Sequence, residues 1–456
     1  MQLEPEACYR AMLARDPRFD GVFFVGVTTT GVYCRPICRV KAPRRSSCTF
    51  HASAALAEKA GFRACLRCRP ELAPGRAPAD AVPDLVRRAV RAIDAGALNE
   101  RSVDELAGSL GVTDRHLRRA MEVVLGVGPV ELAQSRRVAL AKRLLHDTDL
   151  PLAQVAFASG FSSVRRFNAL FLERFGRAPS ALRASLRRGG GTDERLALVL
   201  DYRPPLDWPA LTAFLAARAI PGVERVAEGR YERTVRVGGV AGEVSVEPHA
   251  TRTALVARVS PALAPQLMHV VARLRALFDL DCEPAAVAAH LGGDRRLAPL
   301  VRAHPGLRVP GAFDPFETAV RAVLGQQVSV RAATTLAGRL AARGDFAAFL
   351  NGASVGEIAR VGMPGARAAT LKALAEAWGN GLHLLERLDG LPGVGPWTRA
   401  YVGMRALGMP DAFPASDLGV RKALGGANAK EAERLSRAWS PWRSYAVMYL
   451  WTGGAA

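Results

Sequence analysis

Two pairs of cysteines near the start of the chain constrain its fold more than any other feature. Cys34 and Cys38 form a C-x3-C pair, and Cys65 and Cys68 form a C-x2-C pair after 26 intervening residues. Two short pairs with this spacing are typical of a tetrahedral zinc site. The chain has seven cysteines and no visible secretory signal, so we expect reduced thiols in a cytoplasm rather than disulfides.

Arginines flank both cysteine pairs, in the segments TTTGVYCRPICR and GFRACLRCRP. Arginine beside a zinc thiolate suggests a site that works on something anionic. The spacing alone leaves a purely structural zinc open as the alternative. Cys48 lies between the pairs and could compete as a ligand, whereas Cys282 is best explained as a small buried apolar residue.

The charge of the chain favours a phosphate-bearing partner. Its 62 lysines and arginines exceed its 42 aspartates and glutamates, and the net charge is +20 over 456 residues. Guanidinium groups bind phosphate and displace condensed counterions, although a coding bias towards arginine also raises the count. No apolar run approaches the length of a membrane span, so we expect no membrane partner.

The middle of the chain contains an internal repeat with an offset of 49–50 residues, in which Gly111 corresponds to Gly160 and Gly126 to Gly176. Each unit has a short helix, a glycine turn and a Ser/Thr-rich start to a second helix, which predicts a helix-turn-helix.

The second helices of the two units carry the side chains that would meet DNA. Arg115 and Arg118 lie in the first, and Arg165 and Arg166 lie in the second. Such side chains reach base edges and phosphates in a major groove. An ordinary helical hairpin with a solvated basic face is the alternative, but two units at a fixed spacing favour DNA binding.

The carboxyl-terminal part begins with β-branched, alternating segments, VRVGGVAGEVSVEP and TALVARVS, which predict antiparallel strands. From about residue 310 the pattern is helical. PFETAVRAVLGQQVSVRAATTLAGRLA, residues 315–341, is a candidate helix.

The segment LPGVG at residues 391–395 predicts a helix–hairpin–helix turn, in which Gly393 and Gly395 allow backbone N–H groups to meet a DNA phosphate. A plain Gly/Pro loop is the alternative. Asp417 follows Trp397 by twenty residues and stands at a predicted helix start. Taken alone, Asp417 is more typical of an N-cap than of a catalytic carboxylate.

Two composition changes, at residues 71–83 and 187–194, indicate linkers, so we expect a multidomain α+β protein. The predicted domains are a small zinc-bound α/β domain (1–75), an all-α double helix-turn-helix domain (82–188), an antiparallel sheet subdomain (195–310) and a helix–hairpin–helix α-bundle (311–456).

The first two domains resemble known regulators. The run GFSS…F…LF…FG…P is similar to the paired helix-turn-helix module of AraC-type transcription factors, and the stretch from ARDPRFDG to GFRACLRCRP resembles the amino-terminal domain of Ada-type DNA repair regulators. The second resemblance implies a methyl-phosphotriester acceptor, with Cys34 as the nucleophile and Cys38, Cys65 and Cys68 as the other ligands of one zinc. Promoter DNA and RNA polymerase are the implied partners.

Residues 198–451 resemble the AlkA-type 3-methyladenine DNA glycosylase II, through GLRVPGAFDPFETAVRAVLGQQVSV, LPGVGPWTRAY and WSPWRSYAVMYLW. The resemblance implies an α+β glycosylase that cleaves the N-glycosidic bond of alkylated purines in double-stranded DNA. Asp417 would be the catalytic carboxylate, and Trp397, Tyr401 and Trp451 would form the base pocket. Each aromatic residue could instead fill the core, Tyr401 above all.

The chain departs from this family at several positions. Trp397 replaces the lysine of bifunctional relatives, so we expect no lyase step. Gln327 replaces the apolar residue that wedges into the duplex, and Val328 or a neighbour could serve instead. Leu418 replaces an aromatic residue. Cys282 is the only cysteine after residue 68, so we expect no iron–sulfur cluster.

Two functions remain open. The chain is either a repair enzyme that is also a regulator, or an alkylation-responsive activator whose glycosylase block only supplies DNA affinity. Asp417 together with Trp397 and Trp451 favours the first. We expect a cytoplasmic, nucleoid-associated monomer.

Overall fold

The structure is a computed structural model that describes residues 4–75, 84–186, 195–378 and 388–453. Their contacts divide them into two compact units. The first comprises 4–75, 84–186, 195–204 and 235–272, and the second comprises 205–234, 273–378 and 388–453. Most of the first predicted linker and all of the second lie outside the described residues, and the predicted domain boundaries stay predictions.

A four-stranded sheet forms the core of the cysteine-containing segment, in the order β3-β1-β2-β4. Strands β2 and β4 are parallel, and Tyr33 pairs with Ala64. Since Cys34 ends β2 and Cys65 directly follows β4, this pairing places one cysteine of each pair at the carboxyl ends of two adjacent strands. The elements are α1 (Pro5–Ala14), β1 (Phe24–Val27), β2 (Val32–Cys34), β3 (Cys48–His51), α2 (Ala54–Lys59) and β4 (Arg63–Ala64).

The second segment is helical and repeats as predicted. Thr113 caps the helix α6 and Ser163 caps α9, each by accepting a hydrogen bond from the backbone N–H three residues later. The turns before these helices contain glycines with positive φ, Gly111 at 77° and Gly160 at 82°. The helices are α3 (Asp84–Asp94), α4 (Ala97–Glu100), α5 (Val103–Ser109), α6 (Asp114–Leu125), α7 (Pro129–Asp147), α8 (Leu152–Ala158), α9 (Val164–Phe175) and α10 (Pro179–Leu186).

A five-stranded sheet follows, in the order β5-β9-β8-β7-β6. The pairs β5–β9, β6–β7 and β8–β9 are antiparallel, and buried residues alternate with accessible ones along much of β7, as the sequence pattern predicts. Its elements and the two accompanying helices are β5 (Leu196–Asp201), α11 (Trp208–Ala216), β6 (Glu224–Ala227), β7 (Arg230–Val237), β8 (Val240–Pro248), β9 (Ala254–Val259) and α12 (Leu267–Leu277).

The remaining segment is helical, and with the two sheets it confirms the predicted mixed α+β architecture. The described helices are α13 (Pro284–Leu291), α14 (Ala298–Ala303), α15 (Pro315–Leu324), α16 (Val330–Ala341), α17 (Phe346–Gly352), α18 (Val355–Ala359), α19 (Gly365–Ala377), α20 (Pro396–Arg405), α21 (Leu418–Ala423), α22 (Ala429–Ser436) and α23 (Arg443–Gly453).

The prediction of one continuous helix over 315–341 is wrong. The chain leaves the helix at Gly325, Gln327 adopts a left-handed φ of 55°, and Ser329 caps α16. The exposed Val328 and Val330 lie at this interruption. A glycine and a serine N-cap between two apolar helical patterns end one helix and start the next.

Two apolar clusters fill the second unit, and Tyr401 on α20 packs against both of them. Cys282 lies fully buried in one cluster, and burial raises the pKa of its thiol to about 12, as expected for an apolar role. Within the part of the chain that the structure describes, no helix is both long and apolar enough to span a bilayer.

Candidate active sites and nucleic-acid interface

Both oxygens of the Asp417 carboxylate are held by indole N–H groups. Trp451 donates to Oδ1 at 2.8 Å, and Trp397 donates to Oδ2 at 2.9 Å. Oδ1 also accepts from the backbone N–H of Val420 at 3.0 Å, so Asp417 is the N-cap of α21, as its local sequence predicts. A carboxylate with both oxygens fixed in this way has one orientation, which a simple N-cap does not require.

The three predicted pocket aromatics lie together beside Asp417. Trp397 stacks on Tyr401 with ring centroids 5.1 Å apart and planes at 22°, and the Tyr401 and Trp451 centroids are 6.2 Å apart. Phe214 on α11 stacks on Trp451 at 6.0 Å. Flat aromatic faces of this kind accept an electron-poor base by stacking.

Arginines lie against this aromatic cluster. Arg405 is buried and donates to the Tyr401 hydroxyl at 3.0 Å, and its other bonds go to the Pro310 and Gly311 carbonyl oxygens. Burial raises the pKa of Tyr401, but Arg405 and then Arg218 outweigh this effect and lower the pKa of the phenol. Burial lowers the pKa of Arg405 to about 10, so its guanidinium stays charged at neutral pH.

The predicted hairpin glycines lie on an exposed turn before α20. Gly393 has φ at 80°, and a Cβ there would lie 2.2 Å from Thr370 Oγ1, whereas a Cβ on Gly395 would meet nothing within 4 Å. The turn is tied to the interruption between α15 and α16, because the Gln326 side chain donates to the Gly393 carbonyl at 2.8 Å. Gln327, the predicted DNA contact, is exposed beside this link.

The four predicted zinc ligands come together. The sulfurs of Cys34, Cys38, Cys65 and Cys68 all lie within 4.8 Å of one another. A tetrahedral zinc with Zn–S bonds of about 2.3 Å requires sulfurs about 3.8 Å apart, so the set fits zinc. Cys48 is not a member of this group and packs in an apolar cluster instead.

The four sulfurs shift one another's pKa values in opposite directions. Hydrogen bonds with Cys38, then with Cys65 and Cys68, raise the pKa of the Cys34 thiol, whereas the hydrogen bond with Cys34 lowers the pKa of the Cys38 thiol to about 7. Backbone N–H groups of Arg35 and Arg67 point at the Cys68 and Cys65 sulfurs at 3.4 Å. A bound zinc would supply the positive charge that the group needs.

The arginines beside the cysteines have two different roles. Arg35 is buried between Asp20 and Asp201, and Arg69 pairs with Glu71 and Asp147, so these two cations serve internal ion pairs. The sequence did not reveal these carboxylate partners. Arg39, Arg63 and Arg67 are the exposed members, and they are available to an anionic ligand.

The four arginines predicted to contact DNA in the repeat are all exposed. Arg115 and Arg118 lie on α6, and Arg165 and Arg166 lie on α9, where Arg165 corresponds to Arg115. Arg118 makes only a weak contact with Asp114 at 3.4 Å. The apolar faces of both helices are buried, so the basic faces remain for a partner.

Three family models match the chain. The metal binding domain of Ada matches residues 7–71, a helix-turn-helix domain matches residues 106–185, and the AlkA N-terminal domain matches residues 197–314.

A relative from Mycobacterium tuberculosis, named "Probable bifunctional transcriptional activator/DNA repair enzyme AlkA", is 42% identical over 480 residues, which cover 98% of this chain and 96% of the relative. The chain belongs to this AlkA-type family. "DNA-3-methyladenine glycosylase 2" of Escherichia coli is 35% identical over 55% of this chain and 95% of its own length. "Bifunctional transcriptional activator/DNA repair enzyme Ada" of Escherichia coli is 35% identical over 30% of this chain and 36% of its own length.

Sequence reasoning on this AlkA-type chain did not identify Phe214, Arg218 or Arg405 as parts of the aromatic site. A signal for Arg405 was present, because Trp397, Tyr401 and Arg405 follow at intervals of four residues and share one face of α20. Phe214 and Arg218 have the same interval, but nothing in the sequence relates them to residues about 200 positions later.

Proposed function

We propose that this chain is a DNA alkylation repair protein with three activities. It excises 3-methyladenine and other alkylated bases through Asp417, accepts methyl groups from DNA phosphotriesters at Cys34, and binds promoter DNA through its helix-turn-helix segment. The observation that carries the enzymatic part is the Asp417 carboxylate, which two indoles orient beside stacked aromatic rings.

The glycosylase reaction breaks the bond between the base nitrogen and C1′ of the deoxyribose, and the electron pair leaves with the base. C1′ becomes cation-like, and the Asp417 carboxylate stabilises that charge and orients a water molecule. The water oxygen bonds to C1′, and its proton is lost to the carboxylate or to solvent. An alkylated purine is cationic and leaves as a neutral base, so one carboxylate is enough. Trp397 cannot form a Schiff base, so we propose no lyase step.

Selection of the base depends on the aromatic rings. The lesion leaves the helical stack, and Trp397, Tyr401 and Trp451 receive its electron-poor ring by stacking and cation–π attraction. The turn at Gly393 and Gly395 binds a backbone phosphate, and the loop with Gln327 and Val328 fills the space that the base vacates.

The test is release of 3-methyladenine from methylated DNA by wild type and by Asp417→Asn. Asparagine keeps the N-cap, so the helix stays intact while the charge is lost. Asp345→Asn is a matched control, because Asp345 caps α17 in the same way at an exposed position. We expect base release to fall at least a hundredfold only in Asp417→Asn, and full activity of that variant would refute the proposal.

The second activity is a single methyl transfer. The Cys34 sulfur attacks the methyl carbon of a phosphotriester, the S–C bond forms as the C–O bond breaks, and the phosphodiester leaves as an anion. Zinc held by Cys34, Cys38, Cys65 and Cys68 would keep the thiols deprotonated. Arg39 and Arg67 are exposed beside the ligands and would hold the neighbouring phosphates.

The identity of the acceptor sulfur needs a direct measurement. Cys34 is 8% exposed, whereas Cys38 and Cys68 are partly exposed, so accessibility alone favours other sulfurs. The assignment to Cys34 depends on the family resemblance. Peptide mass spectrometry after exposure to methylated DNA should find one added methyl on Cys34, and a methyl on Cys38 or Cys48 would refute the assignment.

The regulatory role links methyl transfer to Cys34 with promoter binding by the helix-turn-helix segment. Methylation of one of four zinc thiolates removes one negative charge, so repulsion from DNA falls and promoter affinity rises. We propose that the methylated form, a cytoplasmic and nucleoid-associated monomer, recruits RNA polymerase. Arg165→Ala with Arg166→Ala should weaken promoter binding and leave base release from short duplexes unchanged.

The alternative is an activator whose glycosylase segment supplies DNA affinity alone. That function does not require the two indole bonds to Asp417, whose carboxylate otherwise accepts, among the described residues, only the Val420 N–H of the α21 N-cap. Absence of base release by wild type as well as by Asp417→Asn would favour this alternative.

A further inference from the structure

A second charged group, Arg218, lies next to the aromatic pocket and packs on Phe214. The Arg218 guanidinium carbon lies 3.7 Å from the Phe214 ring centroid, and its Nη1 donates to the Phe214 carbonyl at 3.3 Å. Phe214 stacks on Trp451, whose indole holds Asp417. The Phe214 ring thus contacts both Arg218 and Trp451, whose indole orients the Asp417 carboxylate.

Within the described residues the positive charge at this position has no ion-pair partner, and Tyr401 and Asp417 only partly offset the lowering of the Arg218 pKa by burial. Arg321 pairs with Glu224 at 3.0 Å and Arg233 with Glu317 at 2.9 Å. By contrast, among the described residues neither Arg218 nor Arg405 has a carboxylate oxygen within 4.0 Å of its guanidinium nitrogens. The Arg405 guanidinium carbon also lies 4.6 Å from the Phe214 centroid, so two unpaired cations flank one pocket ring.

These cations act oppositely on neutral and cationic bases. A neutral base takes the bonding electrons with it and carries negative charge in the transition state, which a nearby guanidinium stabilises. A cationic base is repelled when it binds, and the repulsion falls as its charge passes to the sugar. A fixed cation therefore raises kcat/KM for neutral bases and raises KM for cationic ones.

We propose that Arg218 is a specificity-determining residue that shifts the pocket from cationic towards neutral damaged bases. The aromatic faces alone would favour cationic bases. Arg218, packed on Phe214, offsets that preference because its positive charge repels a cationic base. For a neutral purine the C1′–N bond electrons pass to the base nitrogen. Water then supplies hydroxide to C1′ and a proton to the base, so atoms and charge balance. This inference rests on the proposed glycosylase function.

The test compares two duplexes of the same sequence, one with a single neutral hypoxanthine and one with a single cationic 7-methylguanine. Arg218→Met removes the charge and keeps the length, Arg218→Lys keeps the charge, and Arg343→Met is a control at an exposed arginine. We expect Arg218→Met to lower the ratio of kcat/KM for hypoxanthine over 7-methylguanine by about tenfold, with a lower KM for 7-methylguanine. Arg218→Lys should restore most of the ratio, and Arg343→Met should leave it unchanged.

Three outcomes would overturn the inference. Equal losses on both duplexes in Arg218→Met would indicate a packing role for Arg218. Release of 7-methylguanine but not hypoxanthine by wild type would leave the proposed function standing and reject the role of Arg218. Release of neither base by wild type would reject the glycosylase function itself, and the inference with it.

Discussion

The Lys142 ammonium donates a hydrogen bond to the backbone carbonyl oxygen of Cys65 at 2.9 Å, so the long helix α7 is bonded directly to a residue of the cysteine cluster. The same ammonium pairs with Glu71 at 2.8 Å, and the two side chains are 1% and 2% exposed. The helix that connects the two helix-turn-helix units is therefore part of the support of the metal site.

We expect Lys142→Met to lower the free energy of unfolding by about 3 kcal/mol, because it leaves a buried carboxylate without its nearest cation. The double variant Lys142→Met, Glu71→Gln should recover part of that loss. Urea denaturation of the zinc-loaded protein measures both. Lys59→Met is the control, because its pair with Glu131 is 3.6 Å long and exposed, and it should cost less than about 1 kcal/mol. Equal losses in Lys142→Met and Lys59→Met would contradict this prediction.

The ion pair between Asp147 and Arg69 predicts a dependence of stability on pH. Burial raises the pKa of Asp147, but hydrogen bonds from His146 and Arg69 outweigh burial and lower the pKa from 3.8 to about 2. A carboxyl with a lowered pKa stabilises the fold above its unfolded pKa, and this stabilisation is lost as the pH falls towards the folded value. Asp147→Asn should therefore cost about 2 kcal/mol at pH 7, and the cost should shrink between about pH 4 and pH 2.

This pH prediction is tested by the difference in unfolding free energy between wild type and Asp147→Asn, which cancels acid effects common to both proteins. Asp114→Asn, at an exposed position on α6, should follow the wild-type profile. A difference between wild type and Asp147→Asn that stays constant with pH would show that the carboxylate does not contribute by its charge.

The indole bond to Asp417 can be separated from the aromatic surface. Trp451→Phe keeps a ring against Phe214 and removes the donor to Oδ1. We expect kcat to fall about tenfold or more with little change in KM, since a bond to a charged group is worth about 1.5–3 kcal/mol. Trp439→Phe removes a comparable indole–carboxylate bond to Asp294 and should change stability but not kcat. A normal kcat in Trp451→Phe would show that this bond does not orient the carboxylate.

The two hairpin glycines should respond differently to alanine. Gly393→Ala introduces a Cβ 2.2 Å from Thr370 Oγ1 at a left-handed φ, whereas Gly395→Ala places it in open space at φ of −93°. We expect Gly393→Ala to weaken binding to an abasic-site duplex by about tenfold or more and Gly395→Ala to weaken it much less. Fluorescence anisotropy with the two variants measures this difference. Equal affinities would mean that the turn geometry does not position the DNA contact.

Features carried by short stretches of sequence could be predicted. The cysteine spacing predicts the sulfur group, and the repeat with its glycine turns predicts the paired helices, because each depends on neighbouring residues. Asp417 and Trp397 belong to two different helices, and the family resemblance rather than a local pattern related them. These residues are brought together in the structure as expected, although their roles stay predictions.

Features that depend on distant pairing could not be predicted. The parallel pairing of β2 with β4 joins residues about 30 positions apart through a strand of only two residues, which has no periodicity to detect. Phe214 on α11 and Arg218 just after this helix reach the site through tertiary packing, which leaves no local signature in the sequence. The break at Gly325 was missed because the apolar pattern continues on both sides of it.

The Gln326 side chain also donates to Thr398 Oγ1, and the Gln326 backbone carbonyl accepts from Arg367. The exposed loop and the glycine turn are consequently clamped to each other by one residue. If the turn binds a phosphate while the loop contacts the base stack, the distance between these two DNA contacts is set by the protein and not by the DNA. Only a duplex that deforms easily at that distance from the bound phosphate can accommodate both contacts. The fixed spacing would therefore favour DNA whose base stacking is locally weakened.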